Sequence, residues 1–97
     1  MKLRFTPQAT ANLVAIADYI RARNPEAAKR VRDDIYTALR NLLLFPGVGR
    51  RQMTTGVRKL VTRRFSYLIY YAVDDAAEEI IILSVQHPAQ ERAYSDE

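Results

Sequence analysis

Hydrophobic and polar residues recur along the chain with two different periods, and the change of period separates helical from extended segments. Lys2 to Phe5 alternates polar and apolar residues and predicts a short strand. Thr6 and Pro7 then predict the start of a helix. Threonine is a common N-cap, and proline fits the first helical position because the backbone N–H that it lacks would have no partner within the helix there. The apolar residues of this helix form one stripe: Ala9, Leu13, Ile16, Ala17 and Ile20.

A second helix is predicted directly after the first, because Asn24-Pro25-Glu26 repeats the same start signal with an acid in the first turn. Phe45-Pro46-Gly47 ends it, and the short connection predicts an antiparallel helical hairpin. Leu42 to Phe45 is a continuous apolar run that fits deep core or a partner surface, and we prefer core. The stripe of the second helix comprises Ala28, Val31, Ile35, Ala38, Leu39 and Leu42.

The second half of the chain has the pattern of a sheet. Residues 46–56 contain all three glycines and predict a loop. Ile80 to Leu83 is apolar on both faces, as in a strand near the centre of a sheet. The order β-α-α-β-β-β predicts an α+β fold, with the helical hairpin packed on one face of a small, mostly antiparallel sheet. The strands are predicted at Val57–Arg63, Tyr67–Val73 and Glu79–Val85, with a polar turn at 74–78.

Length and composition narrow the class of protein. The 97 residues are enough for one core, so we expect a single domain over residues 1–97. The absence of cysteine excludes disulfides, and one histidine without cysteine makes a zinc site and any other metal cofactor unexpected. No apolar signal segment or membrane span is visible, so a cytoplasmic protein is expected.

The charge favours acidic partners. Fifteen Lys and Arg against eleven Asp and Glu give a net charge of +4. Arg58 to Tyr71 interleaves cations with aromatic residues in a segment of high β-propensity, which indicates a surface that meets an anion. Nucleic acid and an acidic protein would both satisfy this charge, and a plain solubilising surface is the third interpretation. Arg58 itself is predicted to pair with Asp33 or Asp34 of the second helix.

Candidates for catalysis are few. His87 has a side chain that titrates near neutrality, but a lone histidine at the end of a strand is more often a structural hydrogen-bonding residue. Tyr94 could donate a proton or stack on a base. Tyr67, Tyr70 and Tyr71 fit sheet packing better than base stacking.

The chain resembles the ParE and RelE superfamily of toxins from type II toxin-antitoxin pairs over nearly all of its length. The resemblance rests on short segments in a fixed order, which are Phe5-Thr6-Pro7-Gln8-Ala9, Tyr19-Ile20, Asn24-Pro25-Glu26-Ala27-Ala28, Pro46-Gly47-Val48-Gly49-Arg50, Gly56-Val57-Arg58, Tyr67-Leu68-Ile69-Tyr70-Tyr71 and Val85-Gln86-His87. It implies the same small α+β fold.

The resemblance also implies a growth-inhibiting toxin that an acidic, ParD-like antitoxin neutralises in a hetero-oligomeric complex, with operator DNA bound only through the antitoxin. ParE-like members poison DNA gyrase, whereas RelE-like members cut mRNA on the ribosome. Some ribonuclease members carry arginine where this chain has Leu68, and a carboxylate where it has Arg50-Arg51-Gln52-Met53. A ParE-like gyrase inhibitor without catalytic residues is therefore preferred, with the endoribonuclease and an inactive antitoxin partner as alternatives.

The residues expected to contact the antitoxin or the target are cationic or lie at strand ends. Arg63 and Arg64 are the first choice, because they follow the basic strand directly. The full set comprises Arg50, Arg51, Arg58, Arg63, Arg64, His87 and Arg92.

Overall fold

The computed structural model describes residues 1–90 and contains a five-stranded sheet with a helical hairpin. The elements follow the order β-α-α-β-β-β-β, in which a short strand precedes the three that the pattern predicts. They are β1 (Lys2–Phe5), α1 (Pro7–Arg23), α2 (Pro25–Leu44), β2 (Arg50–Arg51), β3 (Arg58–Val61), β4 (Leu68–Asp74), β5 (Glu79–Gln86) and a final 3-10 turn (Pro88–Gln90).

The strands lie in the order β1-β5-β4-β3-β2. β1 is parallel to β5 and every other pair is antiparallel, which confirms the mostly antiparallel sheet. β5 lies between β1 and β4, as its two apolar faces predict. A register shift between Tyr70 and Tyr71 interrupts the β4–β5 ladder, so one extra residue of β5 lies opposite this step.

The main core lies between the helices and one face of the sheet. Ile35, Leu39 and Leu42 of α2 pack with Tyr71 of β4 and Ile82 of β5, and all five are buried. A smaller cluster of Val57, Leu68 and Tyr70, with Leu83 against it, lies on the opposite face. The alternation of side chains along β3 and β4 accounts for the division, since successive residues point to opposite faces.

Both helix starts follow the predicted chemistry. Thr6 Oγ1 accepts a hydrogen bond from the Ala9 amide at 3.0 Å and donates to the Leu83 carbonyl at 2.9 Å, so the cap also ties α1 to β5. Asn24 Oδ1 accepts from the Ala27 amide at 3.2 Å. Neither helix among residues 1–90 is long and apolar enough to cross a membrane.

Two expectations about the second half of α2 and its loop are wrong. Leu42 is buried, but Leu43, Leu44 and Phe45 are exposed, so core does not account for most of this apolar run. The loop after α2 contains the short strand β2, which pairs with β3 and forms the edge of the sheet. Local pattern gave no signal for β2, because a strand of two residues exists only through its partner.

Candidate functional site

The turn between β3 and β4 presents two arginines from a fixed backbone. The buried carboxylate of Asp34, on α2, accepts hydrogen bonds from the Arg64 amide at 3.1 Å and the Phe65 amide at 2.9 Å. The hydroxyl of Thr62 accepts from the Tyr67 amide at 2.9 Å across the same turn. Arg63 and Arg64 are exposed, so this turn holds two guanidinium groups in solvent on a backbone anchored to the helix layer.

The electrostatics of Asp34 favour its charged form. Burial opposes ionisation, but the hydrogen bonds from Thr62, Phe65 and Arg64, together with the charge of Arg64, outweigh burial and lower the pKa of Asp34. The carboxylate is therefore ionised at neutral pH, where it is the stronger acceptor for the turn.

Arg58 anchors a loop and forms no ion pair with any residue from 1 to 90. Its guanidinium donates to the Gly47 carbonyl at 3.1 Å and to the Gly49 carbonyl at 2.8 Å. The predicted pairing with Asp33 or Asp34 is wrong, since Asp34 faces the β3–β4 turn and Asp33 lies beside Arg32 at 3.7 Å. The loop carbonyls provide the acceptors that the prediction assigned to a carboxylate.

Tyr71 holds the same loop from the next strand. Its hydroxyl accepts from the Gly49 amide at 2.8 Å and donates to the Pro46 carbonyl at 2.8 Å. Burial raises the pKa of Tyr71, although the Gly49 hydrogen bond and the charge of Arg58 act in the opposite direction. The phenol is neutral at physiological pH and can donate and accept at once, as this geometry requires.

β2 and β3 place like charges opposite one another. Arg51 pairs with Arg58, and Arg50 pairs with Lys59. Arg58 in turn pairs with Tyr71, so the first pair lies on the helix face of the sheet, while Lys59 pairs with Tyr70 and the second pair lies on the opposite face. Arg50 and Arg51 are exposed at the edge of the sheet.

An open groove of about 480 Å³ lies between α1 and the ends of β4 and β5. Tyr67 and His87 form one wall, and their rings meet edge to face with 5.5 Å between centroids. His87 Nδ1 accepts from the Ala89 amide at 3.1 Å, which agrees with a structural hydrogen-bonding histidine. The helix side of the groove is lined by Asn12, Ala15, Ile16 and Tyr19.

The groove has a mainly apolar character with fixed walls. Burial, with a smaller contribution from Tyr19, raises the pKa of Tyr67, so its phenol is neutral. Asn12 Oδ1 accepts from the Val85 amide at 3.1 Å, and this bond joins α1 to β5 between two residues that line the groove. Tyr19 is stacked under the Arg23 guanidinium, which lies 3.7 Å from its ring centroid. Such a groove is suited to an apolar side chain with a polar tip.

The structure brings only some of the predicted site residues together. Arg50, Arg51 and Arg58 meet at the β2–β3 ladder, and Arg63 and Arg64 lie beyond the other end of β3. His87 belongs to the groove with Tyr67, the residue at which the β3–β4 turn ends. Arg92 and Tyr94 lie outside the described residues.

The part of the chain that the structure describes contains no candidate metal site. No group of three or more His, Asp or Glu side chains within residues 1–90 could hold a metal ion.

One signal in the sequence was missed. Residues 35–73 contain seven Lys and Arg and no Asp or Glu, so the moderate net charge conceals one strongly cationic segment. That segment supplies the end of α2, the loop after it, and β2 to β4. The groove was also missed, because Asn12, Ala15 and Tyr19 have no unusual pattern until α1 is placed beside β5.

Comparison with known proteins identifies the family. The sequence profile described as "ParE toxin of type II toxin-antitoxin system, parDE" matches residues 3–92. "Putative toxin Y4kP" of Sinorhizobium fredii is 33% identical over 90 residues, which cover 93% of this chain and 91% of that protein.

Solved structures agree with this relationship. A chain of the chromosomal ParDE TA system from P. aeruginosa is 31% identical with a TM-score of 0.76, covering 90% of this chain and 95% of its own. A chain of the intact E. coli RelBE complex, 18% identical, shares the fold with a TM-score of 0.62 over 94% of this chain and 98% of its own. Since the family profile spans nearly the whole sequence, the chain belongs to the ParE toxin family of type II toxin-antitoxin systems.

Proposed function

We propose that this ParE-family toxin inhibits DNA gyrase by protein contact and is neutralised by a ParD-like antitoxin. In this proposal the protein acts in the cytoplasm as one domain without a cofactor, and it approaches operator DNA only through the antitoxin. Arg63 and Arg64 are the proposed target or antitoxin contacts of the β3–β4 turn. Their exposure on a backbone that Asp34 holds in place supports this role.

The environment of Leu68 is the observation that carries the preference for inhibition over RNA cleavage. Leu68 is buried with Val57 and Tyr70 on the sheet face opposite the helices. Cleavage of RNA requires cations at the phosphate and groups that move protons. An alkyl side chain inside an apolar cluster can do neither, and the nearby sequence from 35 to 73 supplies no carboxylate.

Gyrase supercoiling separates the two activities. Purified protein is added to gyrase with relaxed plasmid and ATP, and in parallel to ribosomes translating a defined mRNA. The proposal predicts loss of supercoiling with intact mRNA. Normal supercoiling together with metal-independent mRNA cleavage would instead establish the endoribonuclease. If the protein changed neither supercoiling nor the mRNA, the result would favour an inactive toxin that serves only as the antitoxin's partner.

The groove between α1 and the end of β5 is the proposed binding site for an antitoxin side chain. Its aromatic wall and its largely apolar lining suit an amphipathic antitoxin segment, and Ala15 leaves space at the helix side. The similar P. aeruginosa chain belongs to a ParDE system, which supports an antitoxin as the partner.

Filling the groove tests this placement. Ala15→Trp is expected to weaken rescue by the co-expressed antitoxin while the toxin still arrests growth, because the indole would occupy the space that the antitoxin needs. Thr10→Trp places the same side chain on an exposed position of α1 outside the groove and is the matched control. Equal rescue of both variants would place the antitoxin elsewhere.

A further inference from the structure

A second surface, separate from the groove, lies at the β2 edge of the sheet. We define the β2 patch as Phe45, Val48, Arg50, Arg51 and Met53. Its apolar members are exposed to an unusual degree, with 63% for Phe45, 53% for Val48 and 79% for Met53. The patch shares no residue with the groove lining. Exposed apolar side chains beside exposed cations are typical of a docking surface.

The loop that carries part of the patch is held rigidly. Tyr71 binds the Gly49 amide and the Pro46 carbonyl, and Arg58 binds the carbonyls of Gly47 and Gly49. The Val48 amide also donates to the Phe45 carbonyl at 3.0 Å. Phe45 and Val48 are therefore displayed by an ordered backbone, which lowers the entropy lost when a partner binds.

The β2–β3 ladder is built entirely from like-charged rungs. Arg51 faces Arg58 and Arg50 faces Lys59, and like charges directly opposite each other destabilise a sheet. Arg58 is satisfied by the loop carbonyls, whereas the Arg51 guanidinium makes no hydrogen bond or ion pair with any residue from 1 to 90. With no acid in residues 35–73, the charge that would balance this rung must come from elsewhere.

The backbone of Arg51 faces outward. The Gln52 amide donates to the Val57 carbonyl at 3.0 Å, so the amide of Gln52 points toward the chain that continues into β3. Pairs alternate along an antiparallel ladder, and the amide and carbonyl of Arg51 consequently point away from β3 toward the open edge. This edge offers one donor and one acceptor to an extended chain.

We propose that the β2 patch docks an extended acidic segment of a partner protein. Carboxylates of that segment would pair with Arg50 and Arg51, its apolar side chains would cover Phe45, Val48 and Met53, and its backbone would pair with Arg51. A phosphodiester chain matches the cations but not the three exposed apolar side chains. A second copy of this chain is disfavoured, because it would bring further arginines against Arg50 and Arg51.

Titration of the isotope-labelled full chain with a short peptide tests the proposal. The probe is the blocked peptide Ser-Glu-Leu-Glu-Val-Glu-Glu-Ser, and its control replaces every Glu with Gln. We expect amide shifts at Val48 and over residues 50–53, with binding weakened about tenfold or more for the Gln peptide. The proposal would be overturned if no amide shifted, if shifts were confined to His87 and Ala89, or if both peptides bound equally. Tighter binding of an oligothymidine of similar length would also overturn it.

The substitution Arg51→Glu tests the role of the Arg51 charge directly. It should abolish peptide binding yet leave the melting temperature unchanged or raised, because a Glu–Arg58 pair replaces a like-charged rung. Lys29→Glu on α2 makes the same change in net charge far from the patch and should bind the peptide as the unmodified chain does. If Arg51→Glu fails to fold, Arg51→Gln serves in its place. Unweakened binding by the folded variant would refute the proposal, whatever gyrase or the antitoxin does.

Discussion

The phenol oxygen of Tyr71 lies 2.8 Å from the amide nitrogen of Gly49, and the side chain occupies the space where any other residue at position 49 would place its Cβ. A Cβ at Gly49 would lie 2.5 Å from the Tyr71 hydroxyl oxygen and 2.6 Å from a ring carbon. The glycine is therefore required by the close approach of a side chain from a strand 22 positions away in sequence.

Gly49→Ala should destabilise the fold by about 1–3 kcal/mol, the usual range for overpacking a filled site. The added methyl group must displace Tyr71 or the loop, and either movement breaks the hydrogen bond between them. Gly47→Ala is the control in the same loop, because its Cβ would meet nothing within 4 Å. Urea unfolding of both variants measures the difference, and equal losses would contradict the packing described here.

Tyr71→Phe removes the hydroxyl and keeps the ring, so it measures the contribution of the hydroxyl alone. Loss of this oxygen leaves the buried Gly49 amide without its acceptor and the Pro46 carbonyl without its donor, so a cost of about 1–3 kcal/mol is expected. The exposed Tyr36 provides the matched control, since Tyr36→Phe should change the free energy of unfolding by less than about 0.5 kcal/mol. Faster hydrogen exchange at Gly49 in Tyr71→Phe alone would locate the effect.

Asp34→Asn should cost about 2–3 kcal/mol at pH 7, because hydrogen bonds to a charged acceptor become bonds to a neutral one. The pKa of Asp34 is lowered in the folded state, so its contribution is complete above the unfolded pKa of about 3.9 and is lost as pH falls through the folded pKa. The stability gap between the unmodified chain and Asp34→Asn should thus narrow below about pH 4.

The exposed neighbour Asp33 gives the control for this effect. Asp33→Asn keeps the chemistry of the substitution but removes only a surface contact with Arg32 at 3.7 Å, so its stability should follow that of the unmodified chain at every pH. Denaturant midpoints measured from pH 7 to pH 2.5 would reveal the two profiles. A constant gap for Asp34→Asn over that range would show that the carboxylate charge does not matter.

Thr6→Ala should lower stability by about 1–2 kcal/mol, since it removes the α1 cap and the hydrogen bond to Leu83 together. Thr6→Ser retains the hydroxyl and should recover most of the loss. Thermal unfolding of the pair distinguishes the hydroxyl from the methyl group, and a serine variant as unstable as the alanine variant would assign the effect to packing.

Local chemistry predicted the helices and their starts well. Thr6-Pro7 and Asn24-Pro25 act through contacts three residues apart, which the sequence displays directly. The three later strands were recovered with shifts of one or two residues at their ends, because alternation identifies a strand but not its last hydrogen-bonded pair. The helical hairpin and the mostly antiparallel sheet followed from these elements.

What could not be predicted depends on tertiary contacts. The strand β2 follows a loop that Tyr71 and Arg58 hold against the sheet, and no pattern within residues 46–56 records these contacts. The partner of Arg58 was missed for the same reason, since a guanidinium donates to loop carbonyls as well as to a carboxylate. Leu43 to Phe45 has the composition of a core, but nothing among residues 1–90 covers it.

The parallel pairing of β1 with β5 also affects when this protein becomes folded during synthesis. β1 leaves the ribosome before the other strands, but it pairs with β5 (Glu79–Gln86), and β4 needs the same strand on its other side. The sheet cannot close until β5 has emerged, because these contacts join distant parts of the chain. A chain translated only as far as β4 therefore lacks the strand that joins β1 to the rest of the sheet, so it cannot yet present the folded surface.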